Sequence, residues 1–145
     1  MSDPVAGLRE MARVVRKDGV VAACVWDHAG GRGPLSVFWQ AARELDPDVK
    51  DESARAGSRE GDLPLLFAKA GLRAVESTAL VANLVHVSFE EWWGPYTLGV
   101  GPAGAYAARL DSKRRAELME RGRALLPSAP FEVAAQAWTA RGLAS

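Results

Sequence analysis

The stretch Val-Val-Ala-Ala-Cys-Val-Trp at positions 20–26 constrains this chain more than any other feature. It holds no charge, proline or glycine, and its three valines favour an extended backbone. A short run of this kind reads as a strand buried on both faces, which needs helices packed against it. The residues before it supply one. Asp3 is a good N-cap and Pro4 fits the first helical position. Val5, Leu8, Ala12 and Val15 then recur at helical spacing. Arg16–Gly19 turns that helix into the strand, with Gly19 the residue suited to a positive φ.

Beyond the strand, Asp27 and His28 lead into a glycine-rich loop, and Pro34 opens a helix through about Asp46 that buries Val37, Phe38, Ala41 and Leu45. Residues 46–61 are polar and read as mobile loop. Asp62 caps a further helix ended by Gly71. Residues 72–87 alternate and are rich in β-branched side chains, so a long strand is expected, bent or bulged near Ala82 and Asn83. Ser88 and Glu91 then form a capping box, with Val87 and Trp92 spaced for a hydrophobic staple, and Gly94 and Pro95 stop that helix. Two more helical segments follow, up to Pro127, and Phe131–Ala140 reads as a last strand.

At 145 residues the chain has the length of a single domain, 1–145, with enough apolar residues for its own core. Eighteen basic and eighteen acidic side chains cancel, so no overall field draws it to nucleic acid or to an anionic membrane. One cysteine, Cys24, excludes an internal disulfide and suits a reducing compartment; among apolar neighbours it reads as a small buried hydrophobe. The N-terminus shows no signal peptide and no run reaches the length of a membrane span, which places the protein in the cytoplasm as an expectation.

Gly99–Gly104, GVGPAG, matches the glycine spacing of a dinucleotide-binding loop, but such a loop follows a strand and precedes a helix. Bulky aromatics precede it here, and Pro102 removes an amide donor from it. A turn between helical segments is the better reading.

The opening of the chain, DPVAGLREMARVVRKDGVVAACVWD, resembles the helix D and strand 5 region of class I S-adenosylmethionine-dependent methyltransferases, of the UbiE/type 11 kind. Leu8, Glu10, Arg13, Val14, Val15, Arg16 and Gly19 stand at the matching positions, with Lys17 and Asp18 where Pro-Gly is usual. LPLLFAKAGLRAVESTAL is similar to that family's next helix and sixth strand, and PFEVAAQAWTARG to its seventh. The resemblance implies an α/β chain: a partial Rossmann-like methyltransferase fold, with a mixed three-stranded sheet in the family order 5-7-6 and flanking helices. It covers the family's C-terminal, substrate-side half. The family's acidic-x-G-x-G-x-G loop and its ribose carboxylate have no counterpart in these residues. S-adenosylmethionine is therefore implied for the full-length family, while no cofactor, metal or catalytic residue is assigned to this chain alone. The resemblance implies methyl transfer to a small molecule only when a cofactor-binding half completes the fold; a non-enzymatic ligand-binding or interaction module that reuses the half-fold is the alternative.

Four residues stand out as substrate-binding candidates. His28 lies at the carboxyl end of the first strand, where open α/β sheets place ligands, and its imidazole suits a general base. The plainer alternative is a solvated loop histidine with Asp27 capping the turn. Trp92, Trp93 and Tyr96 form the densest aromatic cluster. Adjacent tryptophans do not share one narrow helical stripe, so one is expected to line an apolar pocket near His28, with core packing as the alternative. His86 reads as a satisfied sheet residue. Finally, strand 5 in the family order has a strand 4 neighbour that these residues do not supply. A homodimer through Val20–Trp26 and the first helix is the expected partner arrangement.

Overall fold

The computed structural model describes residues 3–145. In chain order the elements are α1 (Pro4–Val14), β1 (Val20–Trp26), α2 (Ser36–Leu45), α3 (Asp62–Ala70), β2 (Arg73–His86), α4 (Phe89–Trp93), a 3-10 helix (Gly94–Leu98), α5 (Gly101–Arg109), α6 (Ser112–Leu125) and β3 (Phe131–Leu143). These elements form two compact units. The first takes in the described residues up to Gly33, together with Ser53–Val81 and Gln136–Ser145; the second takes in Pro34–Glu52 and Ala82–Ala135. β2 and β3 each contribute residues to both.

β3, last in the chain, lies between β1 and β2. It runs antiparallel to β1, with Val20 opposite Leu143 and Trp26 opposite Ala137. On its other side the Thr139 hydroxyl donates to the Thr78 carbonyl (3.2 Å), and the Arg141 guanidinium grips Glu76 (2.7 and 2.9 Å). Moving two residues back along β3 moves two forward along β2, as antiparallel neighbours require. The strand order is the one the resemblance implies. The mixed sheet is not found: a strand inserted between two that run the same way opposes both, so every neighbouring pair is antiparallel.

Within the first unit, Asp3 caps α1 by accepting the Ala6 N–H at 2.9 Å. Leu8 on α1, Leu63 and Phe67 on α3, Val21 on β1 and Ala140 on β3 form the core, with Ala12, Val15, Ala23 and Val25 packed around it. β1 is therefore covered on one face only. Val20, Ala22, Cys24 and Trp26 alternate with the covered residues and are exposed, which corrects the reading of a strand buried on both sides. Cys24 is an exposed thiol rather than a buried hydrophobe for the same reason. In the turn before β1 the left-handed residue is Asp18 (φ 59°), not Gly19. The helix α3 is entered through Gly61, in left-handed geometry, with Asp62 as its first residue. Residues 53–61 form ordered turns; the fully buried Ser58 donates its hydroxyl to the Ser53 carbonyl at 3.0 Å. β2 runs unbroken through Ala82 and Asn83, and its one left-handed residue is Ala74 (φ 48°).

In the second unit α2 and α6 pack together, and Phe38, Trp39, Trp92, Trp93, Tyr96, Tyr106, Leu118 and Phe131 share one core. At α4 the Ser88 hydroxyl accepts the Glu91 N–H (3.1 Å), while the Glu91 carboxylate reaches back to the Val87 N–H (2.8 Å). The staple does not form, because Trp92 turns into the core and leaves Val87 in solvent. The α-helix stops at Gly94 as expected, and the chain continues through Gly94 and Pro95 as a 3-10 helix. Ser88→Ala is expected to cost about 1 kcal/mol, read as a lower urea midpoint at unchanged slope. An unchanged midpoint would show that Glu91 alone holds this helix start.

Candidate functional site

The carboxyl end of β1 is built around Asp27. Its N–H donates to the Gln136 carbonyl (2.9 Å), and the Gln136 N–H donates to the Arg32 carbonyl (2.7 Å), so the loop after β1 is tied to β3 at both ends. The Asp27 carboxylate, 1% exposed, accepts the Gly30 N–H at 2.9 Å and Arg32 Nε at 2.6 Å. The Arg32 guanidinium also lies over the Trp138 ring, 5.4 Å from its centroid. Burial pushes the Asp27 carboxyl up, but the hydrogen bonds from Arg32 and Gly30 and the Arg32 charge outweigh it. The carboxyl is held below its usual range. Gly30 is required here: a Cβ on it would fall 2.4 Å from Asp27 Oδ2.

His28 stands beside this arrangement without joining it. It is half-buried, its N–H donates to the Trp26 carbonyl (2.8 Å), and its ring packs by Gly33, where a Cβ would lie 3.2 Å from Nδ1. Asp27 is turned to Gly30 and Arg32, so Asp27 and His28 do not form an acid–base dyad. Among the described residues no side chain orients the imidazole by a hydrogen bond, the third group that a catalytic base needs.

Trp92, Trp93 and Tyr96 are brought together, with ring centroids 5.1 Å (Trp92–Tyr96), 5.9 Å (Trp93–Tyr96) and 6.3 Å (Trp92–Trp93) apart. All three are buried core residues of the second unit, whereas His28 belongs to the first. Both tryptophans are buried because α4 is a single turn enclosed from two sides. Trp92 lies against Gly122 of α6, and Trp93 stacks on Phe38 of α2. Burial raises the Tyr96 phenol to about 12, so it stays protonated. A cleft of about 300 Å³ in this unit is lined by Phe89, Glu90, Arg123 and Phe131 among others, and by none of the three candidates. His86 is half-buried beside Phe131, and its Nδ1 has no hydrogen-bond partner among the described residues, so it is not the satisfied sheet residue expected.

The structure adds a surface that sequence reasoning missed. On the uncovered face of the sheet in the first unit, an open cleft of about 610 Å³ is lined by Ala22, Cys24, Glu76, Thr78, Thr139 and Arg141, among others. Its floor is small and apolar, and the Glu76–Arg141 ion pair stands on it. It offers shape and the hydroxyls of Ser77, Thr78 and Thr139 to a ligand, but no group paired as nucleophile and base. The strand alternation held the signal for this face; the register that joins Glu76 to Arg141 did not show in the sequence.

The glycines at 99–104 serve packing. Gly104 lies in the first turns of α5, where a Cβ would come 3.0 Å from the Gly99 backbone, and Pro102 occupies the start of that helix. Gly99 closes over this turn, and Pro102 leaves it one amide donor short. Among the described residues no three His, Cys, Asp or Glu side chains cluster as metal ligands, and no helix is long and apolar enough to cross a membrane. No protein-family model matches the chain, and no curated protein matches it.

Proposed function

We propose that this chain is the substrate-side half of a Rossmann-like, S-adenosylmethionine-dependent methyltransferase fold, inactive alone and methylating a small molecule when a cofactor-binding half completes it. The carrying observation is the insertion of β3, antiparallel, between β1 and β2, with α1 and α3 packed side by side in the first unit. The order β1-β3-β2 is the one the motif resemblance implies for strands 5, 7 and 6, although the strand directions are not mixed. The ordered Asp27 loop at the end of β1 lies where open α/β sheets gather ligands, which makes His28 the residue of this chain best placed to meet an acceptor. Trp92, Trp93 and Tyr96 support the reading only as the core that shapes the second unit.

Calorimetric titration tests it. The isolated chain is expected to give no stoichiometric heat with S-adenosylmethionine, because neither a glycine loop nor a ribose carboxylate is among its residues. Mixed with, or fused to, the glycine-loop half of a small-molecule methyltransferase, it is expected to gain micromolar binding. Stoichiometric binding by the isolated chain would overturn the proposal, as would a completed protein that binds no cofactor.

A further inference from the structure

One edge of β1 and one flank of α1 are left uncovered in the first unit. β1 pairs only with β3, so one of its edges carries no strand among the described residues. Which groups face that edge follows from the hydrogen bonds at the two ends of the pair. The Ala144 N–H donates to the Gly19 carbonyl (2.9 Å), and the Asp27 N–H to the Gln136 carbonyl (2.9 Å). Odd-numbered residues of β1 therefore face β3, and the backbone groups of Val20, Ala22, Cys24 and Trp26 point away from it. The Trp26 carbonyl already accepts from His28, and the others have no partner from the sheet. No charge or proline guards this edge, the protection that exposed strands ordinarily carry.

α1 extends the same surface. The Arg9 guanidinium donates to the Lys69 carbonyl at the end of α3, marking the side of α1 that meets α3. Met11, two residues on, lies on the opposite side of the helix at 100° per residue, and Val14 lies beside it. Both are exposed, Met11 by 43% and Val14 by 64%. Beside Met11 a cleft of about 710 Å³ is enclosed by α1, α3, the 54–56 loop and β1, with Leu8, Met11, Leu63, Leu66, Ala23 and Val25 in its lining.

We infer that this surface is occupied by a second copy of the chain, with β1 pairing antiparallel to its twofold mate around Ala23. The order of side-chain sizes carries the choice of occupant. Val20, Val21, Ala22, Ala23, Cys24, Val25 and Trp26 run large, large, small, small, small, large, large, nearly the same read from either end. Centred on Ala23, the register sets Val20 against the mate's Trp26, Val21 against its Val25 and Ala22 against its Cys24. Every outward-facing residue meets another outward-facing residue, so the hydrogen-bonding phase is met along the whole strand. The Met11 and Val14 flanks of the two α1 helices come to the same side of the joined sheet, where one isologous contact covers both. The proposal stands apart from the methyltransferase reading, in which a cofactor half would take this edge instead of a second copy.

Sedimentation equilibrium and cysteine trapping on the full chain test it. At concentrations on the order of tens of micromolar the chain is expected to sediment with twice its own mass. Cys24→Lys is expected to weaken association at least tenfold, about 1.4 kcal/mol. Ala22→Pro is expected to do the same, since the Ala22 N–H faces away from β3 and its loss spares the sheet. Ala22→Cys places the new thiol directly opposite the mate's Cys24, about 5.5 Å between Cα atoms, within disulfide reach. Mild oxidation should convert most of that variant to a reducible covalent dimer. The unaltered chain should cross-link far less, because its two Cys24 residues sit diagonally. A monomer throughout this range would overturn the proposal; so would equal cross-linking of both proteins, or Cys24→Lys leaving the dimer intact.

Discussion

Phe38→Ala is expected to destabilise the protein by about 3–5 kcal/mol, the largest effect of any single substitution considered for this chain. Phe38 is 1% exposed, stacks on Tyr96 with 4.4 Å between ring centroids, meets Trp39 edge-on at 5.2 Å and lies 6.3 Å from Trp93 and from Tyr106. Truncation removes the ring on which four other rings pack, and α2, α4 and α5 cannot all move inward to fill the space. Urea denaturation followed by tryptophan fluorescence reads the change, since Trp39 and Trp93 border the site. Phe38→Leu should recover about half of the loss. A cost below about 1 kcal/mol for the alanine variant would mean that the aromatic cluster repacks freely and is not the keystone of its unit.

The second large effect is expected at Gly30. Its backbone N–H holds Asp27 Oδ1, and a methyl group there would fall 2.6 Å from that oxygen and 2.4 Å from Oδ2. Gly30→Ala therefore pushes a buried carboxylate off its partners while leaving its charge in place. Leaving a buried charge unpaired is worse than deleting it. Asp27→Asn, which keeps the shape and loses the charge, is expected to cost about 1–3 kcal/mol, and Gly30→Ala more. Arg32, whose side chain is 54% exposed, turns to water when released, which places Asp27→Asn toward the low end.

The same carboxylate makes stability depend on pH. Its pKa in the folded protein lies below the unfolded value of about 3.9, so the unfolded chain binds the proton more readily. The Asp27 contribution is then complete above the unfolded value and is lost as pH falls through the folded one. The difference in urea midpoint between the wild type and Asp27→Asn should be full at neutral pH and shrink below about pH 4. A gap that stays constant into acid would show that shape, not charge, makes Asp27 matter.

How far the fold was legible depends on the element. β1, α1 and α3 are readable because a strand between a capped helix and a turn leaves few alternatives, and Val20–Trp26 is found at its expected bounds. Burial was not readable from the same residues. A seven-residue apolar run looks alike whether one face or both are covered, and Cys24 is exposed because only Val21, Ala23 and Val25 meet helices. Asp18 rather than Gly19 takes the left-handed turn position, a choice open to aspartate through its short polar side chain. At the candidate site His28 was placed correctly at a strand end, but its neighbour's partner was not foreseen. Asp27 and Arg32 flank a pair of glycines five residues apart, and only the folded loop shows that the intervening turn brings them together. Trp92 and Trp93 misled because a stripe argument made for a long helix does not hold for a five-residue one.

The place of β3 has a consequence for how the chain reaches this state during synthesis. Val20 leaves the ribosome well before its partner Leu143, and β2 also waits for the same strand. Until Phe131–Leu143 emerges, β1 and β2 are strands without a neighbour, and the apolar sequence of β1 is held in a chain still tethered at its growing end. The sheet therefore closes late and through contacts of long sequence separation, the kind that form slowly. During that interval nascent chains on one messenger carry identical unpaired strands close together, and the speed of translation between β2 and β3 governs how long they stay so.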